Sequence, residues 1–187
     1  MSNSSDYHDY VFKDGKRIGK FDEMYKYSAE IPWHQDKTAY SVFSDIDISI
    51  LKQFKYESIC EVGCGLGYFS NRLYKELSSN AGLPKVTGIE ISKTAVEKAS
   101  EQFPDIRFIV GDLTKEILLP DEKYDLVVIK EVFWYVCHSL KQFLKNIREM
   151  IKENGFLFVS QSFPGTEKWV GDDLIVLPSL RSGRMRS

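Results

Sequence analysis

The sequence predicts an α/β fold in which a doubly wound, mostly parallel sheet carries helices on both faces. Three observations favour this fold. Short apolar segments alternate with amphipathic helical segments from about residue 38 onward. The first short apolar segment leads directly into a glycine-rich turn and a new helix. The segment 124–129 is apolar on both faces after its first two residues, which is typical of a parallel strand covered by helices. We therefore expect a ligand site beyond the carboxyl ends of the strands.

Composition narrows the class of protein. The chain has 187 residues, which suits one domain with a proper core, and its 43% apolar and 28% charged residues are typical of a soluble globular protein. The net charge of −2 and the lack of a Lys/Arg block give no electrostatic basis for a nucleic-acid partner. The first six residues lack the features of a signal peptide, and no apolar stretch approaches membrane-spanning length. A cytoplasmic protein without a membrane partner is expected.

The three cysteines predict neither a metal site nor disulfides. Cys60 and Cys64 flank the glycine turn, and Cys137 lies far from them in sequence. This spacing matches no zinc motif, and three thiols form no even-numbered disulfide framework. We expect reduced thiols, with Cys64 tolerated in the turn as a small side chain.

The glycine turn is the strongest local signal. The stretch Ser58–Ser70 opens as a buried strand and ends where the helical pattern Phe69, Leu73, Leu77 begins. Glycines at 63, 65 and 67 allow a tight turn and a close approach of a ligand, and a helix start offers free N–H groups. A nucleoside-bearing cofactor is predicted. An ordinary tight turn is the alternative, because isolated glycine motifs arise by chance.

The turn discriminates between two nucleotide-binding families. A dinucleotide fingerprint has a third glycine or alanine where this chain has Tyr68, so an NAD-dependent oxidoreductase stays open only as a runner-up. The segment EVGCGLG (61–67) instead resembles the first motif of the Rossmann-like S-adenosylmethionine-dependent methyltransferases. That resemblance places Glu61 near the methionine ammonium of the cofactor, since a carboxylate is the natural partner of a buried cation. It assigns the turn itself to cofactor binding, through Gly63, Cys64, Gly65 and Gly67.

Two further acids follow in order along the chain. Glu90 ends the second predicted strand (85–90), about twenty residues beyond the turn, where an acid accepts hydrogen bonds from ribose hydroxyls in both families. A cap for the helix beginning near Ser92 is its alternative role. After the third strand (106–110), the resemblance pairs Asp112 with the adenine amino group and packs Leu113 on the ring; an Asx turn is the alternative for Asp112. The resemblance adds Ile91 and Lys130 to the cofactor site.

The segment after the fourth strand is predicted to bind the methyl acceptor. It lies beyond the carboxyl end of a central strand, where open α/β sheets bind ligands. The candidates for the acceptor pocket are Glu131, Phe133, Trp134 and Tyr135. Burial of the aromatic side chains in the core is the alternative. A helix from Leu140 to a stop at residues 153–155 and a fifth strand over 156–161 complete this half.

The parts of the chain that flank the central sheet are predicted to be a hairpin and a lid at the N-terminus and an irregular tail at the C-terminus. Residues 1–37 are expected to form a hairpin around Asp14-Gly15 and a lid over 31–35, with Trp33 against the cofactor and His34 facing the acceptor. A helix over 38–54 should bury an apolar face made of Val42, Phe43, Ile46, Ile50, Leu51 and Phe54. The methyltransferase domain is assigned to residues 38–176 and an irregular tail to 177–187. The remaining chain is too short for the sixth and seventh strands of the family, so the C-terminal strands are expected to be truncated.

The resemblance extends over residues 38–163 and implies an activity. S-adenosylmethionine would donate a methyl group to an oxygen or nitrogen of a small molecule, leaving S-adenosylhomocysteine as the product. The Pro32-Trp33 pair and the segment 131–136 look more narrowly like nodulation-type N-methyltransferases, which implies a sugar-derived acceptor. His34 and Glu131 are the candidate bases; a hydrogen-bonded lid histidine is the alternative for His34. An exposed sheet edge favours a homodimer, and a cofactor-binding but inactive module stays open.

Overall fold

In the computed structural model, residues 7–13, 16–78, 82–116 and 122–162 are described. The strands, in chain order, are β1 (Phe12–Lys13), β2 (Lys16–Arg17), β3 (Ser58–Val62), β4 (Lys85–Glu90), β5 (Arg107–Val110), β6 (Tyr124–Lys130) and β7 (Ile151–Ser160). The α-helices are α1 (Phe21–Tyr27), α2 (Gln35–Thr38), α3 (Val42–Leu51), α4 (Tyr68–Glu76), α5 (Lys93–Gln102), α6 (Phe133–Val136) and α7 (Leu140–Met150). None of the described helices is both long and apolar enough to cross a bilayer.

Five of the strands form a parallel sheet in the order β5-β4-β3-β6-β7. The chain proceeds outward from β3 to β5 and then returns to the other side of β3 with β6. The order therefore reverses between β3 and β6, and in open α/β sheets a ligand crevice lies at this point, beyond the carboxyl ends of the strands. The predicted mostly parallel α/β fold is confirmed.

Alternation along the central strands fills two cores, one on each face of the sheet. Ile59 packs into one core, whereas Cys60 and Val62 pack into the other. The same period divides β6, where Leu126 and Val128 face one core and Val127 and Ile129 the other. Because helices cover both faces, neither set of side chains meets water. This explains why β6 has a continuous apolar sequence.

The predicted stop of α7 at residues 153–155 is wrong. The helix ends at Met150, and β7 begins at once with Ile151 opposite Tyr124. The register then shifts, so that Phe156 lies opposite Leu126. Gly155 belongs to this irregular segment of the strand, where a Cβ atom would lie 2.8 Å from the carbonyl oxygen of Tyr124. The glycine thus permits a close approach of two strands and does not end a helix.

The predicted buried face of the helix over 38–54 is also wrong. The helix α3 begins only after Ser41, whose side chain accepts a hydrogen bond from the Ser44 N–H as an N-cap. Phe43 is 76% exposed, and only Leu51 of the predicted face is buried. The exposed members of that face are Val42, Phe43, Ile46, Ile50 and Phe54. The buried residues of α3 are Ser44, Asp47, Ile48 and Leu51.

Polar contacts explain the orientation of α3. Asp47 forms an ion pair with Lys130 at the end of β6, and both side chains are largely buried. Arg72 of α4 reaches Asp45 and also donates to the Ala39 carbonyl. A buried charge requires a partner, so these pairs determine which side of the helix faces the sheet. Sequence periodicity contains no information about such pairs.

The N-terminal hairpin is confirmed. The strands β1 and β2 pair antiparallel, with Phe12 opposite Arg17 and Lys13 opposite Lys16. The lid segment predicted over 31–35 forms the 3₁₀ helix Pro32–His34 and the start of α2. The predicted tail over 177–187 and the predicted truncation of the C-terminal strands lie outside the described residues.

Ile46 and Ile48 provide a matched test of the orientation of α3, since they are the same residue type, two positions apart, 51% and 1% exposed. Ile48→Ala should lower the free energy of unfolding by about 2–5 kcal/mol through lost burial and a cavity. Ile46→Ala should change it by no more than about 0.5 kcal/mol. Urea unfolding followed by circular dichroism measures both. Equal losses would show that the described orientation of α3 is wrong.

Candidate cofactor and acceptor site

A cavity of about 800 Å³ opens beyond the carboxyl ends of the central strands. Its size lies within the usual range of small-molecule sites, roughly 300–1,000 Å³. One wall comes from the glycine turn and the ends of β4 and β5. A second wall comes from the end of β6 and the residues after it, and Arg17 and Trp33 of the N-terminal part also line the cavity. The cavity lies at the position predicted from the strand order.

Glycine is required in this turn for two reasons: the backbone has positive φ angles, and neighbouring side chains leave no space for a Cβ atom. Gly63, Gly65 and Gly67 have φ angles of 73°, 53° and 79°, in a region of backbone conformation that residues with a Cβ atom rarely adopt. A Cβ atom on Gly63 would lie 2.5 Å from Val132, and one on Gly67 would lie 2.6 Å from Phe108. The turn is therefore tightly packed against both the β5 and the β6 sides of the sheet.

The N-terminal part covers Gly65 through Gln35 and Tyr25, two contacts that the sequence did not predict. The missing Cβ of Gly65 would lie 2.5 Å from the Gln35 amide and 2.7 Å from the Tyr25 hydroxyl. Gln35 accepts a hydrogen bond from the Leu66 N–H at 2.8 Å and donates to Tyr25 at 2.9 Å. A side chain at 65 would thus displace the lid directly. Gly65 and Gly67 do not themselves line the cavity, whereas Gly63 and the buried Cys64 do.

Glu61 is a buried carboxylate at the cavity wall. It is the penultimate residue of β3, is 4% exposed and accepts a hydrogen bond from the Ser70 hydroxyl of α4. Burial raises the pKa of Glu61 to about 7, although the Ser70 hydrogen bond and the charge of Lys130 both act to lower it. A cation entering the cavity would stabilise the ionised form, as expected for a group that meets an ammonium.

Glu90 is a second buried carboxylate of the same wall. It accepts hydrogen bonds from the Gly65 N–H at 3.1 Å and the Ser92 N–H at 3.0 Å. Burial raises the pKa of Glu90 above its ordinary value, and these backbone hydrogen bonds limit the rise. Ser92 itself caps α5 by accepting from the Ala95 N–H, so Glu90 is not the cap. Its predicted role toward ribose hydroxyls stays a prediction.

Asp112 lines the cavity after β5 and also makes the Asx turn that was the alternative. Its Oδ1 accepts from the Thr114 N–H at 3.0 Å, and its Oδ2 pairs with the Lys115 ammonium at 2.8 Å. Burial acts to raise the pKa of Asp112, but the hydrogen bonds from Lys115 and Thr114 outweigh it and lower the pKa. Buried Asn146 of α7 donates to the carbonyls of Leu113 and Lys115 and so supports this loop.

The β6 wall contains Glu131, a non-glycine residue with φ of +56°. Its carboxylate accepts from the Gln161 amide at 2.8 Å, the Ser162 N–H at 2.8 Å and the Ser162 hydroxyl. Trp134 and Tyr135 also line the cavity. Phe133 does not line the cavity, because it packs edge-on against Phe143 in the core. For this residue the alternative, burial in the core, is correct.

The lid segment contains the other two described non-glycine residues with positive φ, Trp33 at 53° and His34 at 47°. Strained backbone of this kind is concentrated at functional sites. Trp33 lines the cavity and packs edge-on against Tyr7 and Tyr25, with Tyr135 also in contact. His34 is exposed and lies outside the cavity lining. The structure therefore does not bring His34 to the acceptor side, because the left-handed turn directs it outward.

The remaining predicted cofactor residues lie at the cavity. Leu113 is buried, Ile91 is partly exposed, and both line it. Lys130 also lines it and forms its ion pair with Asp47 at the base. Sequence reasoning missed Arg17, Gln35 and Tyr25, which no motif marks as site residues. Within the described part of the chain, no group of three or more His, Cys, Asp or Glu side chains is arranged to hold a metal ion.

Comparison with known proteins identifies the family. A family profile described as "Methyltransferase domain" matches residues 53–173. The chain belongs to this methyltransferase family. Among curated relatives, malonyl-[acyl-carrier protein] O-methyltransferase 1 of Ilyobacter polytropus is 32% identical over 101 residues, which is 52% of this chain and 35% of that protein. The predicted family is thereby confirmed.

Solved structures of methyltransferases share the fold. The N-methyltransferase NodS of Bradyrhizobium japonicum, in complex with S-adenosylhomocysteine, has a TM-score of 0.57 and 18% identity over 74% of this chain and 71% of its own. CalS10 of Micromonospora echinaspora, an amino pentose methyltransferase with S-adenosylmethionine bound, has a TM-score of 0.52 and 17% identity over 69% and 51%. S-adenosylmethionine as the cofactor of this methyltransferase family is confirmed. The chain spans 35%, 48% and 33% of the first three curated relatives.

The raised pKa of Glu61 predicts a pH-dependent stability. Between its ordinary pKa of 4.5 and the folded value of about 7, the folded methyltransferase domain holds a proton that the unfolded chain has released. The free energy of unfolding should therefore fall as pH rises from 5 to 8, by about 3 kcal/mol from this residue. Glu61→Gln should remove that part of the decline in urea unfolding at the two pH values.

Ser70→Ala is the matched control for this measurement. The variant removes the hydroxyl that acts to lower the Glu61 pKa, so it should steepen the decline of stability between pH 5 and 8. A decline that is identical in the wild type and Glu61→Gln would contradict the assignment of a raised pKa to Glu61.

Proposed function

We propose that this methyltransferase transfers a methyl group from S-adenosylmethionine to an oxygen or nitrogen of a small molecule, and that this molecule is a sugar or a sugar-derived metabolite. The observation that carries the proposal is the cavity at the strand switch point, with Glu61, Glu90 and Asp112 on one wall and Glu131 on the other. We call the wall with Glu61, Glu90 and Asp112 the donor wall and the wall with Glu131 the acceptor wall. The family assignment removes the dinucleotide alternative.

The residues of the donor wall fit the cofactor. Glu61 and Glu90 are buried carboxylates that face a cavity, and their burial alone disfavours the charged form. An ammonium at Glu61 and ribose hydroxyls at Glu90 would supply the missing positive charge and hydrogen-bond donors. Asp112 would accept from the adenine amino group beside the apolar Leu113. When bound, S-adenosylmethionine supplies an electrophilic methyl group on a good thioether leaving group.

The acceptor wall supplies alignment and a proton acceptor. Glu131 is the cavity residue proposed to take the proton that the acceptor oxygen or nitrogen loses. Its hydrogen bonds from Gln161 and Ser162 hold the carboxylate in one orientation. Trp33 and Tyr135, whose rings pack against each other at the cavity lining, would exclude water and restrict how an acceptor enters. His34 would take part only in a lid conformation other than the one described.

Two classes of relative bear on the acceptor. The amino pentose methyltransferase CalS10 supports a sugar-derived acceptor, although its similarity is one of fold. The malonyl-[acyl-carrier protein] O-methyltransferases support a second candidate, transfer to an acyl carboxylate. The cation Arg17, which lines the cavity and forms no ion pair with an acid among the described residues, is the observation that favours this second candidate. An inactive cofactor-binding module stays the third possibility, and turnover on any acceptor would exclude it.

Two other expectations stay proposals. A cytoplasmic location rests on the sequence features alone. A homodimer through the sheet edge would use β7, which has no second neighbouring strand among the described residues. The exposed side chains Phe156 and Val159 on that strand support it.

The cofactor assignment predicts the effect of removing each acid. Asp112→Ala and Glu90→Ala should each weaken binding of S-adenosylhomocysteine by about 1–3 kcal/mol, because a buried hydrogen-bond donor loses its acceptor. Isothermal titration calorimetry measures the loss. Asp105→Ala, an exposed acid before the opposite end of β5, is the matched control and should bind normally. Unchanged affinity in both site variants, or wild-type binding of NAD in place of S-adenosylhomocysteine, would refute the assignment.

The base assignment predicts a separate effect on turnover. Once a screen of sugars, amines and acyl carboxylates identifies an acceptor, Glu131→Gln should lower kcat by roughly 10²–10⁴-fold, the usual contribution of a general base. Affinity for S-adenosylhomocysteine should stay unchanged. Gln161→Ala removes one hydrogen bond to Glu131 but keeps its carboxylate, and should cost much less. Full activity of Glu131→Gln between pH 6 and 9 would eliminate Glu131 as the base.

A further inference from the structure

Arg17 joins the N-terminal hairpin to the acceptor wall. It lies on β2, yet its guanidinium donates to the Tyr135 carbonyl at 2.7 Å and lies 3.2 Å from His138 Nε2. These residues follow β6 and are 118 and 121 positions away in sequence. Arg17, Tyr135 and His138 all line the cavity. A positive charge therefore lies at the cavity, on the side assigned to the acceptor.

The other cations of the cavity have acidic partners. Lys115 pairs with Asp112, and Lys130 pairs with Asp47. Among the residues that the structure describes, no Asp or Glu pairs with Arg17. Glu131, the acid of the same wall, instead receives its hydrogen bonds from Gln161 and Ser162.

Arg17 has capacity to bind a ligand. A guanidinium has five N–H donors, and the contacts to Tyr135 and His138 use two of them. Burial and the nearby charge of Arg17 both lower the pKa of His138, which keeps its ring neutral and able to accept from Arg17. The three other N–H groups, one on each guanidinium nitrogen, are charged donors of the kind that pairs with a carboxylate or a phosphate.

We propose that Arg17, held in place by Tyr135 and His138, binds an anionic oxygen group, a carboxylate or a phosphate, on the methyl acceptor. This inference rests on the proposed function, since it assigns the acceptor to the cavity that also holds the cofactor. It narrows the acceptor class to acids, such as sugar acids, acyl carboxylates or phosphorylated metabolites. A neutral sugar would leave the guanidinium without a charged partner.

Calorimetry on the protein saturated with S-adenosylhomocysteine tests this subsite. Malonate and methyl phosphate are the anionic probes, and malonamide is the neutral probe of the same shape as malonate. At least one anion should bind about tenfold or more tightly than malonamide, as expected for a hydrogen-bonded charge pair. Preference for malonate or for methyl phosphate identifies the group. Equal binding of all three probes, or no binding, would overturn the subsite.

Variants of Arg17 separate recognition of charge from support of the hairpin. Arg17→Gln should abolish the preference for the anion, and Arg17→Lys should retain part of it. Lys13→Gln makes the same charge change on β1, outside the cavity lining, and should behave as the wild type. An equal loss in Lys13→Gln and Arg17→Gln would overturn the inference, because it would reflect net charge alone. If Arg17→Gln fails to fold, Arg17→Lys carries the test through its partial loss of the preference, and equal binding of all three probes to the wild type would still overturn the subsite.

The binding of S-adenosylhomocysteine, measured first, distinguishes a failure of the Arg17 subsite from a failure of the proposed function. Binding of S-adenosylhomocysteine without any preference for an anion overturns the Arg17 subsite and leaves the proposed methyltransferase function intact. Failure of the wild type to bind S-adenosylhomocysteine overturns the proposed function itself. Binding of S-adenosylhomocysteine together with an Arg17-dependent anion preference supports both.

Discussion

The close packing around the glycine turn is the constraint on which the rest of the site depends. Three parts of the chain approach this turn where side chains are missing: Val132 after β6, Phe108 of β5, and Gln35 of the N-terminal segment. Each approach is closer than a Cβ atom allows. The turn thus brings the donor wall, the acceptor wall and the lid within one cavity. A short segment with glycine at every second position thus determines how the elements around it assemble.

Buried charge is the second organising feature. Next to α3, Lys130 pairs with Asp47 and Arg72 pairs with Asp45. At the cavity, Glu61 and Glu90 have hydrogen-bond donors but no ion pair in the described residues, and burial raises the pKa of both. Paired charges therefore hold the scaffold together, whereas the charges left without a partner lie where a ligand is proposed to bind.

The donor wall and the acceptor wall differ in origin. The donor wall is built from three consecutive strand ends of the family domain, which begins at residue 53. The acceptor wall combines the end of β6 with Arg17 and Trp33, which precede that domain in sequence. Family membership therefore supports conclusions about the cofactor far better than conclusions about the methyl acceptor. The acceptor has to be deduced from contacts that this chain makes between distant segments.

The order and type of the elements could be predicted because each element is encoded by a pattern of neighbouring residues. The apolar strand of β3, the glycines after it, and the acids Glu90 and Asp112 at successive strand ends each carry their signal within a few residues. Since parallel strands end at the same edge of a sheet, this order alone placed Glu61, Glu90 and Asp112 around one cavity. The same reasoning identified the N-terminal hairpin from its Asp-Gly turn.

Only the tertiary structure decided which faces are buried and which distant residues meet. The orientation of α3 follows from ion pairs to Lys130 and Arg72, against the apolar periodicity of the helix. Gln35 reaches the Leu66 N–H, and Arg17 reaches Tyr135 and His138, across separations of 31 to 121 residues. The left-handed turn at His34 directs that side chain outward. Such contacts depend on how separate segments pack in space, and no short sequence motif records them.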